Sequence, residues 1–149
     1  MVTTTTLLSD TVLFIRNMIR TNVTDPITSV RPTGENFVMT SYPREIVHYP
    51  LITVADNGIQ DSRAGQQSEI GFMRLNVEVR VWARTVKERD NLFEQVYNCL
   101  RTRQFDAGTG LYDNNLHDFK LVSAVNTDED GEEGVKSKVM TYSFLYVTE

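Results

Sequence analysis

Between Met73 and Ala83 the odd positions Met73, Leu75, Val77, Val79, Val81 and Ala83 are apolar, while Arg74, Asn76, Glu78 and Arg80 between them are polar or charged. A period of two is the signature of a strand with one buried face. Only Trp82 breaks it, at the end of the run, where a ring can still cover a neighbour. The chain then turns at Arg84-Thr85, and Thr85-Val86-Lys87-Glu88 fits a capping box, the Thr85 hydroxyl accepting from the Glu88 amide and the Glu88 carboxylate reaching back. In the helix that follows, Leu92, Val96, Cys99 and Leu100 share one face with Phe93 beside them, and Lys87, Arg89, Asp90, Glu94, Arg101 and Arg103 are expected to face water. A one-faced strand leading through a two-residue corner into a one-faced helix calls for a sheet with a helix on it. The unit is a scaffold and carries no visible chemistry.

The rest of the chain can supply that sheet. Leu7 to Arg20 reads as a first helix, with Leu8, Val12, Ile15 and Ile19 on one stripe and Phe14 and Met18 widening it; Ser9 or Thr6 could cap its start. Ile27 to Pro32 reads as a short strand, and Phe37 to Tyr42 as a second one stopped by Pro43. Arg44 to Tyr49, bracketed by Pro43 and Pro50, reads as extended, and Leu51 to Val54 continue it as a buried strand. The stretch from Ala55 to Ser68 is polar and punctuated by glycine, and reads as one long mobile loop. Its part from about 57 to 68, including Asn57, Gly58, Ile59, Gln60, Asp61, Ser62, Arg63, Gly65 and Gln66, is a candidate arm for binding a neighbouring subunit or ring. After the central helix, Leu116 to Asn126 alternates around Phe119, Leu121, Ser123 and Val125, and Val135 to Val147 around Met140, Tyr142, Phe144 and Tyr146. Residues 127–134 join these two strands in a hairpin loop that carries Asp128, Glu129, Asp130, Glu132 and Glu133, whose mutual repulsion keeps it solvated. The fold class expected is α+β, a mainly antiparallel sheet with two helices on one face and a polar opposite face that meets water or another subunit.

At 149 residues the chain fits a single domain, 1–149. A net charge of -5 argues against a general phosphate-binding surface. Nothing approaches the apolar length of a membrane span, and the Thr-rich start lacks the pattern of a signal peptide, so synthesis in the cytoplasm is the expectation. The single cysteine, Cys99, reads as a small buried hydrophobe. His48 and His117 have no Cys or His at metal-ligand spacing. The acidic loop shares only composition with a calcium loop, and no nucleophile elbow, phosphate loop or dinucleotide fingerprint occurs. No catalytic residue, cofactor or metal is therefore expected, and no enzymatic activity. Arg74, Arg80 and Trp82 on the polar sheet face leave a small nucleic-acid-binding module as an alternative, although Glu78 lies among them.

The order of these pieces carries a resemblance. One N-terminal helix, a proline-punctuated stretch from Phe37-Val38-Met39 to Ile52-Thr53-Val54, a long loop, Leu75 to Ala83 leading into Thr85 to Asp90, and two closing strands resemble the tail terminator (tail completion) proteins of long-tailed phages and related viruses. The likeness spans nearly the whole chain. It implies a virion structural protein that forms a homohexameric ring, caps the last ring of tail-tube protein and meets the head-tail connector or neck, another connector (stopper) protein being the nearest alternative. DNA would pass through the lumen without specific binding, and the acidic loop 128–133, which is not a feature associated with the family, could line that lumen.

Overall fold

The computed structural model describes residues 6–42, 48–63, 71–127 and 135–148. In chain order they form α1 (Leu7–Asn22), β1 (Val38–Met39), β2 (Leu51–Arg63), β3 (Gly71–Ala83), α2 (Val86–Thr102), a 3-10 turn (Tyr112–Asn114), β4 (His117–Asn126) and β5 (Lys136–Thr148). The strands make one sheet in the order β1-β2-β3-β5-β4, antiparallel except for the short parallel pairing of β1 with β2. Both helices pack on one face, α1 over β1 and β2, α2 over β3 and β5. The architecture is α+β, as the sequence implies.

The alternation in β3 sets the core. Leu75, Val77, Val79, Val81 and Ala83 are buried, and across the ladder Leu75, Val77 and Val79 face Phe144, Tyr142 and Met140 of β5, which continue the same apolar surface. At the corner Thr85 caps α2 as expected, its hydroxyl accepting from the Glu88 amide at 3.2 Å. The Glu88 carboxylate, however, takes the amide of Arg84, one residue further back, at 3.1 Å and also binds the Arg84 guanidinium. α1 begins after Thr6, whose hydroxyl donates to Asp10 in place of capping the backbone.

Several expectations change. Arg89 is buried on α2, because it stands three residues before Leu92 and seven before Val96 and so lies on the inward stripe. The inward stripe of α1 is Leu7, Thr11, Ile15, Met18 and Ile19, with Leu8 and Val12 at its margin; Thr11 fits there because its hydroxyl donates to the Leu7 carbonyl at 2.7 Å. Residues 26–30 are a turn and not a strand: Asp25 accepts from the Ile27 amide and ties Arg31 back across the segment. The strand expected over Phe37 to Tyr42 shortens to Val38–Met39. Most of the segment Arg44 to Tyr49 lies outside the described residues, as does the acidic loop 128–134; the strands that flank that loop pair as expected, Asn126 opposite Lys138.

The largest change concerns the expected loop from Ala55 to Ser68. Ala55 to Arg63 belong to β2 and pair with β3 as far as Gly71. The ladder shifts between Asp56 and Ile59, where Gly58 takes a φ of 109°. That is a β-bulge, and glycine marks it because the backbone there enters a region closed to other side chains. Polar composition read as loop because this half of β2 lies beyond the helices and needs no apolar face.

Candidate functional site

The expected arm is thus an edge of the sheet. Asn57, Gly58, Ile59, Gln60 and Asp61 are exposed on β2; Ser62 and Arg63 complete the strand opposite Phe72 and Gly71; Gly65 and Gln66 lie outside the described residues. Ile59 pairs with buried Leu75 on the helix-bearing face and is still 42% exposed, so the helices stop short of it. A strand of 13 residues spans about 43 Å. The helix layer covers only its first part, and the remainder projects on a ladder held by β3 and, behind it, β5. Asp128, Glu129, Asp130, Glu132 and Glu133 fall outside the described residues.

The opposite sheet face carries Arg74, Asn76, Glu78, Arg80 and Trp82 on β3 beside Val139, Thr141, Leu145 and Val147 on β5, all half-buried. Among the described residues no helix covers it. Its cations are engaged: Arg74 reaches Asp118 at 3.0 Å and Ser143 at 3.2 Å, and Arg80 lies 3.6 Å from Glu78 with its guanidinium over the Trp82 ring. The Arg74 hydrogen bond, joined by Lys120, holds the Asp118 carboxyl below the usual carboxylate range. Trp82 also meets Tyr42, ring centroids 4.8 Å apart, which explains why it could break the alternation.

Burial pushes the Cys99 thiol up to about 11, and its sulfur faces the Met18 carbonyl at 3.7 Å, so it stays a protonated thiol and a core residue. His48 bonds Glu35 at 2.8 Å, and His117 bonds Asn115 at 2.8 Å. Among the described residues no three His, Cys, Asp or Glu side chains gather in a way that could hold a metal ion.

Two features that the sequence reading passed over are better formed. Between α2 and β4 the chain makes a tight knuckle: the amides of Leu111 and Tyr112 donate to the Arg103 and Gln104 carbonyls, the Gly108 amide donates to Asp113, and Asn114 donates to the Gly110 carbonyl. Leu111 and Leu116 anchor it in the core. On its outside stand Phe105, 76% exposed, and Tyr112, 55% exposed, their rings 5.9 Å apart, with His117 edge-on to Tyr112 at 4.8 Å. Two aromatic residues in an otherwise polar connection were the available signal. The second feature is a groove of about 460 Å³ between α1 and β2, lined by Leu8, Val12, Leu13 and Val54 and by the polar Ser9, Thr40 and Asp56. Among the described residues β1 ends at Met39, opposite Thr53, and no strand pairs with the next residues of β2 on that side. A further cleft of about 390 Å³ beneath the knuckle is lined by Phe14, Met18, Asn22 and Arg103.

No protein-family model matches this chain, and no curated protein shows significant similarity to it.

Proposed function

We propose that this chain is a structural component of a virion tail: a terminator that closes into a homohexameric ring on the tail tube, halts tube growth and offers a fresh surface to the head-tail connector. It works by shape and catalyses nothing. A ring built by rotation needs two different surfaces turned away from each other on one molecule. The observation that carries the reading is that this sheet ends in two such surfaces, β4 along one edge and β2 beyond Thr53 along the other. The projecting half of β2 would reach the adjoining ring, and the acidic loop 128–133 would discourage DNA from sticking as it slides through the lumen. Another connector protein of the neck is the nearest alternative. Nucleic-acid binding through Arg74 and Arg80 is less well supported, since both already face carboxylates.

The test is to mix the purified chain with tail-tube protein from the same virus and image the product by electron microscopy. The expected outcome is a closed ring on one end of each tube, with elongation stopped at that end. Tubes that grow unhindered and uncapped would exclude a terminator, and binding only to the head connector would assign the chain to the neck instead.

A further inference from the structure

The knuckle leads into β4, at one edge of the sheet, and the groove borders β2, near the other, and we infer that they are the two halves of one contact: Phe105 and Tyr112 of one copy seat in the groove between α1 and β2 of the next. This rests on the ring reading and adds to it the contact that joins the copies.

Four observations point the same way. The knuckle precedes β4, the last strand at one side of the sheet, whereas the groove borders β2 beyond the two residues that β1 pairs with, toward the other side. The shapes are complementary: the knuckle is a convex pair of rings whose backbone is already fixed by hydrogen bonds, and the groove is concave, with Leu8, Val12, Leu13 and Val54 beside the polar Ser9, Thr40 and Asp56. Preorganised aromatic side chains entering apolar pockets are the usual centres of binding energy in protein interfaces. Charge also fits. Arg101, one turn before Phe105, hydrogen-bonds Asn98 and lies over the Tyr97 ring but makes no ion pair among the described residues, and neither does Asp56 beside the groove. Finally, the direction is right. From β2 through β3 and β5 to β4 each pairing is antiparallel, so β4 runs opposite to β2 and a head-to-tail neighbour needs no reversal of the sheet. Both edges carry a bulge, which interrupts the even ladder that strand addition requires and leaves side chains to make the contact.

A contact between two unlike surfaces has a consequence that a symmetric contact lacks. Phe105→Asp removes the knob and keeps the groove; Leu13→Asp spoils the groove, where Leu13 is 38% exposed, and keeps the knob. Circular dichroism and thermal melting of each full-length variant check that the fold is retained. In sedimentation at increasing concentration the wild-type chain should associate beyond a dimer, and each variant alone should be monomeric, its dissociation constant raised roughly tenfold or more. Mixed together, the two variants should form a one-to-one dimer and stop there, because the pair retains one good contact. A Phe105→Asp chain that assembles like wild type, a mixture that forms no dimer, or a wild-type chain monomeric at every concentration overturns the inference. The ring reading is judged apart from it, by whether the wild-type chain caps tubes.

Discussion

Arg31 binds together the least regular part of the chain. Its guanidinium meets Asp25 through Nε at 2.6 Å and through Nη2 at 3.0 Å, donates to the carbonyls of His48 and Pro50, and lies over the Phe37 ring. The pair is largely shielded from water, and a buried ion pair that loses one partner leaves an uncompensated charge. Arg31→Met is therefore expected to lower stability by about 3 kcal/mol, read as the shift of a urea unfolding curve at pH 7. Burial pushes the Asp25 carboxyl up, but the hydrogen bonds from Arg31 and the Ile27 amide outweigh it, so Asp25 titrates below its ordinary value. Glu88 is lowered too, chiefly by its hydrogen bond from Arg84, as is Asp90 by Arg89 and Lys138. For groups depressed in the folded state the linked stability is complete above the unfolded carboxylate value, near 4, and is lost as pH falls below it through the folded values. The urea midpoint should accordingly be insensitive to these carboxylates between pH 6 and pH 8 on this order-of-magnitude argument and should drop below about pH 4, less steeply in Arg31→Met. An acid limb of unchanged steepness in that variant would mean the Asp25 pair contributes little.

Among the elements, the connection from α2 to β4 behaves as a built part and not as a spacer. Gly110 is the point where this can be tested, since a β-carbon there would lie 2.6 Å from the Asp106 nitrogen and 2.7 Å from the Arg103 oxygen, both backbone atoms that cannot swing aside. Gly110→Ala should cost about 2 kcal/mol through overpacking, and the accompanying shift of the knuckle should weaken self-association as well. Unchanged melting and unchanged sedimentation would mean that the knuckle is more pliable than its hydrogen bonds suggest. β4 gives a second lesson at this scale. Its alternation reads correctly at Phe119 and Leu121, but a shift between Leu121 and Ser123 puts Ser123 and Val125 on the face away from the helices, opposite Thr141 and Val139, and leaves Val125 exposed. A bulge inserts one residue and reverses the phase of everything after it, so periodicity alone placed Val125 on the wrong side.

For the molecule as a whole, the single sheet makes unfolding cooperative, because β3 is paired on both sides and packed beneath α2. Val79 is fully buried between Val54 and Met140, so Val79→Asp places an unpaired charge at the centre of the only core among the described residues. The expected result is loss of the folded state, seen as absence of a cooperative thermal transition; a cooperative melt within a few degrees of wild type would contradict this account of the core. The alternation of β3 and β5, the cap at Thr85 and the inward faces of both helices up to their margins were legible in the chain because each depends on residues a few positions apart. Arg89 could have been read the same way from its spacing to Leu92 and Val96. Whether Ala55 to Arg63 form a loop or a strand was not local, since a polar segment becomes a strand only when a partner ladder arrives from β3. Nor could the sequence place the knuckle and the groove. Their separation follows from strand order: β5 inserts between β3 and β4 while β2 stays outermost but for the two residues of β1, and that arrangement is fixed by pairings between residues far apart in the chain.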